Sequence, residues 1–497
     1  MADENNARPG GRGRAGTSML GALGMQMASK YANVVVQLGV TMVLARLLTP
    51  GQFGAVAVVT VFLAFFAILS DLGVSVAIVQ YRDLTTEDHE SLFFFSLLFG
   101  LALSAAFALL AWPVAWVYGD PDLVGLCLWS TPAVLFGALN MVPNGVLLRR
   151  REFRAISVRL VVATGASGAL AVAMALAGAG TYALVAQAVA RALVIFLWNW
   201  RATGLSLLGR RDFAAPLRRI LRFSAYQGGF SVINYFSRNL DKILVGATMG
   251  TVPLGAYDKA YKLMQFPINN LTSIFSSVLQ PYLAEYADRP REIYDFWLKA
   301  CRALAVVGFL VAAAFVAFPA EVTWVMYGPQ WGDSVPIIAT LAVSIAPQML
   351  NSTSGAIFQS VGRTDYLFRS GAVCTGISLA AILAGVATGS LAALGALISA
   401  AYYLHFWVTG WYLVRNVFGV PMRRFFRAFA PSALAFAAAA ALPSLLAAPL
   451  SALPYAASLA LRALACAGAY AGVTLATGEW RALGIVNDMR GMRGRER

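Results

Sequence analysis

Val34-Val35-Val36-Gln37-Leu38-Gly39-Val40-Thr41-Met42-Val43-Leu44-Ala45-Arg46-Leu47-Leu48 holds a single charge, at Arg46. A strand of an outer-membrane barrel would alternate apolar and polar residues over about ten positions. This run does not alternate, and at 3.6 residues per turn it presents apolar side chains all round. Runs like it recur along the chain. Of 497 residues 59% are hydrophobic and only 12% are charged, about half the roughly 25% charged residues of soluble domains. The sequence is that of an integral membrane protein built of helices.

Apolar runs fall near 24–46, 53–75, 91–117, 123–147, 156–178, 181–200, 223–247, 255–283, 296–318, 334–359, 367–388, 391–414, 428–447 and 453–476. At about 20 residues per crossing, fourteen spans take up most of the chain and leave no room for a large domain outside the membrane. The connections alternate in chemistry. Arg149-Arg150-Arg151-Glu152-Phe153-Arg154 and Arg423-Arg424-Phe425-Phe426-Arg427 follow even-numbered spans. Tyr118-Gly119-Asp120-Pro121-Asp122 and Gly328-Pro329-Gln330-Trp331-Gly332-Asp333 follow odd ones. Of 38 Lys and Arg, the tails and even-span connections with their adjoining helix ends hold 30, and the odd side holds Arg46 alone. Basic loops remain cytoplasmic, so both termini are expected inside. The net charge of +15 then reflects topology, and no nucleic-acid partner is expected.

The longest basic connection, Arg201 to Arg222, reads as an amphipathic stretch on the inner membrane surface. It separates six spans from eight. Leu48-Thr49-Pro50-Gly51-Gln52-Phe53-Gly54-Ala55, between spans one and two, is echoed by Gly250-Thr251-Val252-Pro253-Leu254-Gly255-Ala256-Tyr257 between spans seven and eight. Two parallel halves around a central path are a transporter layout.

Charges inside hydrocarbon need a partner, a cavity or a function. Lys30 lies in span one, Arg191 in span six, and Arg238, Asp241 and Lys242 in span seven. Asp258, Lys259 and Lys262 open span eight. Helical spacing pairs Arg238 with Asp241 and Asp258 with Lys262. Six cations against two acids leave a positive excess that an anionic ligand would balance. The six are therefore the expected substrate-binding residues, with Asp241 and Asp258 as ion-pair or coupling partners. The plainer alternative is lysines that snorkel to the interface and structural ion pairs.

No enzyme constellation stands out. G-x-S-x-G and the phosphate-cradling G-x-x-x-x-G-K-[ST] are missing. Cys127, Cys301, Cys374 and Cys466 sit at scattered spacing within apolar runs, and there are two histidines. Neither a metal site, a disulfide nor a cofactor is expected.

Four segments carry a family resemblance. Arg46-Leu47-Leu48-Thr49-Pro50-Gly51-Gln52-Phe53-Gly54 resembles the R-x-L-x-P-x-x-F/Y-G turn of polysaccharide-repeat flippases. Ser70-Asp71-Leu72-Gly73-Val74-Ser75-Val76-Ala77-Ile78-Val79-Gln80 resembles their D-x-G-x-x-x-A-x-x-Q segment. Asn239-Leu240-Asp241-Lys242-Ile243-Leu244-Val245-Gly246 through Leu254-Gly255-Ala256-Tyr257 resembles their N-x-D-x-x-x-x-G…G-x-Y hairpin, and Gln359-Ser360-Val361-Gly362-Arg363-Thr364-Asp365 their G-R/K-x-x loop. The set resembles the Wzx-type branch of the multidrug/oligosaccharidyl-lipid/polysaccharide exporter superfamily.

The resemblance implies an all-α polytopic protein of the bacterial inner membrane with two six-helix lobes and two further helices. The expected layout is a basic tail at 1–20, a lobe at 21–201, a linker at 202–222, a lobe at 223–415, two helices within 416–480 and a basic tail at 481–497. It implies a flippase, not an enzyme, that carries an undecaprenyl-diphosphate-linked oligosaccharide to the outer leaflet by alternating access. Membrane lipids and the polymerase and chain-length proteins of the same pathway are the implied partners. Alternatives are a flippase for a lipid II-type peptidoglycan precursor, a cation-coupled drug or small-molecule antiporter, and a membrane enzyme of polysaccharide assembly.

Overall fold

The computed structural model describes residues 12–71, 73–206, 212–285, 289–479 and 481. Residues 1–11 and 482–497 of the expected tails, and Arg210-Arg211 of the linker, lie outside the described residues. Every regular element among the described residues is helical. The chain divides into two compact units, Met1–Gly255 and Ala256–Arg497.

The first unit contains α1 (Arg12–Leu47), α2 (Pro50–Asp71), α3 (Val74–Gln80), α4 (Thr86–Tyr118), α5 (Asp122–Arg149), α6 (Phe153–Leu176), α7 (Thr181–Thr203) and α8 (Ala214–Met249). α5 is mostly apolar, with buried residues along its whole length, which suits a helix that has neighbours on several sides. It packs against α2, α3, α4 and α7. α1 lies on α6, where Gly168 leaves room for Val40. α2 starts with a capping box: Thr49 Oγ1 accepts from Gln52 N at 3.3 Å, and Gln52 Oε1 accepts from Thr49 N at 2.9 Å. Pro50 follows at the first helical position, where its missing N–H costs nothing.

α2 and α3 are separate helices within one candidate span, Pro50–Gln80: Gly73 takes φ 76°, and Asp71 accepts from Ser75 N (3.2 Å) and Ser75 Oγ (2.5 Å). One sequence expectation changes here. Residues 214–222, expected to form a separate surface stretch, are the first turns of α8. Leu217 and Ile220 of that segment pack into the core with Leu84, Leu92, Phe93 and Leu205, while Arg218 and Arg219 stay exposed.

α9 (Thr251–Glu285) begins in the first unit and continues into the second. The second unit adds α10 (Pro290–Ala317), α11 (Pro319–Met326), α12 (Ser334–Ala342), α13 (Ile345–Asn351), α14 (Ser354–Ser360), α15 (Thr364–Ala387), α16 (Leu391–Gly410), α17 (Met422–Arg427), α18 (Ala430–Ala447) and α19 (Tyr455–Ala476). α10 packs against α12, α13 and α18. An ion pair between half-buried Arg302 and buried Glu479, at 2.6 Å, ties the chain after α19 back to α10. Span ten is bent by 48° between α12 and α13. Pro347 cannot donate to the preceding turn, and the Ser344 hydroxyl donates to Leu341 O at 2.6 Å. α16 runs into a π-helical turn, Trp411–Val417.

Eleven helical segments among the described residues are long and apolar enough to cross a membrane, and the bent pair makes a twelfth if it counts as one span. α8 and α9 are long enough, at 36 and 35 residues, but they carry the charged cluster from Arg238 to Lys262 and are not among the twelve. The chain is thus a multi-pass membrane protein.

Candidate functional site

In the first unit the expected cations fall on three helices. Lys30 is exposed on α1, and Arg191 is half-buried on α7. Arg238 is exposed on α8, with Lys242 half-buried one turn later and Asp241 buried between them in sequence. Asn239 donates to Tyr235 O at 3.0 Å, so this residue of the motif braces its own helix.

In the second unit Asp258 is buried and accepts Lys262 Nζ at 2.6 Å. Lys259 is 4% exposed. Its Nζ lies 5.3 Å from the Tyr327 ring centre and 5.7 Å from that of Trp331, within range of a cation–π attraction. Tyr327 and Trp331 are buried beside this lysine. The structure therefore pairs Lys262 with Asp258 and encloses Lys259 in aromatic rings.

The repeated turns explain two motif glycines. A Cβ on Gly54 would collide with the Thr251 carbonyl oxygen and lie 2.5 Å from its carbonyl carbon. A Cβ on Gly255 would collide with the Pro50 carbonyl oxygen and lie 2.9 Å from Gly54 N. The two glycines occupy equivalent places in the repeat, and their backbones meet directly. Arg363, of the fourth motif, grips Asp365 through two hydrogen bonds of 2.9 and 3.0 Å after Gly362 turns the chain at φ 70°.

One polar cluster was not singled out by the sequence reading, which counted Arg159 among the basic helix ends. Arg159 on α6 is 7% exposed and Asn199 on α7 is fully buried. Arg159 Nη1 donates to Asn199 Oδ1 at 2.5 Å and to Asn144 Oδ1 at 3.3 Å. Asn199 Nδ2 donates to Asn140 Oδ1 at 2.7 Å. The one available signal was Asn140 and Asn144, a helical turn apart on the otherwise apolar α5.

Long helices, a bent span and charges carried on them make a multi-pass membrane protein, and solved structures share the fold. A lipid II flippase, MurJ, in an inward closed conformation superposes with a TM-score of 0.70 at 10% identity, over 90% of this chain and 97% of that one. An inward-facing multidrug resistance MATE family transporter of the MOP superfamily gives a TM-score of 0.57 at 18% identity, over 76% and 92%. Residues 43–336 match the family described as polysaccharide biosynthesis protein. The lipopolysaccharide biosynthesis protein WzxC of Escherichia coli K12 is 22% identical over 360 residues, covering 71% of this chain and 72% of the relative. The succinoglycan biosynthesis transport protein ExoT of Rhizobium meliloti 1021 is 26% identical over 376 residues, covering 74% of each. The chain belongs to the polysaccharide biosynthesis protein family.

Proposed function

We propose that the protein moves an undecaprenyl-diphosphate-linked oligosaccharide repeat from the inner to the outer leaflet of the bacterial inner membrane by alternating access. The observation that carries this reading is the cationic excess on α1, α7 and α8 of a Wzx-type chain: Lys30, Arg191, Arg238 and Lys242 against Asp241. A diphosphate loses its hydration in a low-dielectric path, and cations facing it offset part of that cost. Cations spread over three helices hold it without the tight clustering that would prevent release. The prenyl tail can remain in lipid throughout. Lys262, paired with Asp258, and Lys259, enclosed by rings, serve the same anion only if those contacts open.

The topology belongs to the same reading. Counting α8 and α9 with the twelve spans gives fourteen, two six-helix lobes and two further helices, with both termini cytoplasmic. Membrane lipids surround the cargo's tail, and polymerase and chain-length proteins receive the product. The chain itself is a carrier and not an enzyme.

Deleting the gene in its source bacterium tests the cargo. Surface polysaccharide should be lost while completed lipid-linked repeats accumulate on the cytoplasmic leaflet. Incomplete repeats, or repeats already displayed outside, would replace this reading by a transferase or a polymerase. A reporter active only in the cytoplasm should work when fused after Arg497.

A further inference from the structure

Arg159 sits at one end of a helix triplet. Asn144 is five residues from the end of α5 at Arg149, Arg159 six residues from the start of α6 at Phe153, and Asn199 four from the end of α7 at Thr203. At 1.5 Å per residue these depths are about 6–9 Å. The same ends carry Arg149, Arg150, Arg151, Arg154 and Arg201, the cytoplasmic side in the topology proposed above. That depth is where the headgroup layer meets the hydrocarbon.

The chemistry of the cluster is unbalanced. Among the described residues no carboxylate pairs with Arg159. Its Nε is buried and has no hydrogen-bond partner. The three asparagine oxygens that line the cluster are neutral dipoles, and they leave the full positive charge in place. A staple joining α5, α6 and α7 would need only neutral amides, and a buried guanidinium without a counter-ion is costly. The unused donors point to the kind of ligand that balances the charge. Arg159 Nη2 and the Nδ2 groups of the half-buried Asn140 and Asn144 make none of the hydrogen bonds described above, and unlike Nε they are not sealed from a ligand. A planar guanidinium flanked by amide donors matches a phosphate group with several acceptor oxygens.

We propose that Arg159, Asn140 and Asn144 form a phosphate-binding subsite that receives the diphosphate end of a prenyl-linked cargo from the cytoplasmic leaflet. This rests on the flippase reading and adds a first station to it, ahead of the cations on α1, α7 and α8. Asn199 is a positioning residue: it holds the guanidinium and is itself held by Asn140.

The test uses full-length protein in nanodiscs of phosphatidylcholine, with binding read by tryptophan fluorescence. The probes are farnesyl diphosphate, inorganic diphosphate and phosphatidylglycerol. Wild-type protein should bind farnesyl diphosphate most tightly and inorganic diphosphate more weakly. R159Q should weaken both at least tenfold, and R159K should recover part of the loss. N144D keeps the side chain's size and places a carboxylate beside the guanidinium. It should abolish diphosphate binding without lowering the thermal midpoint, so it also serves if R159Q fails to fold. Diphosphate binding unchanged in R159Q and N144D would overturn the subsite alone and leave Arg159 a structural staple. Equal competition by phosphatidylglycerol would overturn it in favour of a bulk-lipid contact. A wild-type protein that binds neither diphosphate probe would overturn the subsite and the flippase reading together.

Discussion

Replacing Gly54 by alanine tests the backbone contact between the two repeated turns. The new Cβ would lie 2.5 Å from the Thr251 carbonyl carbon, whereas carbon atoms pack at about 3.5–4.0 Å. The obstacle is main chain at the start of α9, so no side chain can rotate away. The start of α2 and the start of α9 must separate by about 1 Å. Overpacking of this kind costs roughly 1–3 kcal/mol, and the rigid obstacle argues for the upper end. Against it stands helix propensity: Gly54 lies inside α2, where alanine alone would be better by about 1 kcal/mol. The net expectation is a loss of about 2 kcal/mol, or roughly 4 °C in thermal midpoint for a unit of this size. The assay is thermal unfolding of purified protein in one fixed detergent, beside Gly39→Ala as control. A Cβ at Gly39 meets nothing within 4 Å, so that variant should be neutral or slightly stabilised. The two glycines thus separate packing from propensity by the sign of the change. A Gly54→Ala protein as stable as wild type, or more so, would refute the close contact.

Export measured at matched protein levels should fall sharply in Arg191→Ala and Arg238→Ala and return in part with lysine, which keeps charge but not the guanidinium fork. Asp71→Ala removes the acceptor for Ser75 N and Oγ and should cost about 1 kcal/mol, read as a lowered thermal midpoint. Glu479→Gln weakens the contact to Arg302 and should cost about 1 kcal/mol, since solvent screens the half-buried arginine. A proteolysis assay should then show earlier cleavage after α19, and Arg302→Met with Glu479→Leu should restore resistance.

Hydropathy and charge order, which are properties of single segments, were legible in the sequence. Long apolar runs have to be helices in lipid because every backbone N–H and C=O needs a partner. Of the fourteen spans read from that pattern, eleven among the described residues are helices long and apolar enough to cross, or twelve with the bent pair, and the family motifs followed from residues in their order. The motif glycines were legible as markers but not as contacts. Nothing in Leu48–Ala55 or Gly250–Tyr257 says that Gly54 and Gly255 meet, because the approach depends on two helices far apart in the chain. Likewise Asp71 and Gly73 lie in an apolar run, and only the hydrogen bonds of Asp71 and the φ of Gly73 reveal the turn between α2 and α3. Lys259 looked like any other intramembrane cation until Tyr327 and Trp331, some seventy residues later, closed around it. Arg159 shows the limit most plainly. In sequence it is one more arginine after a basic loop, and its asparagine partners are scattered over α5 and α7. Tertiary packing alone buried its charge and left it without an acid, because burial and hydrogen-bond partnership are properties of neighbours in space and not of neighbours along the chain.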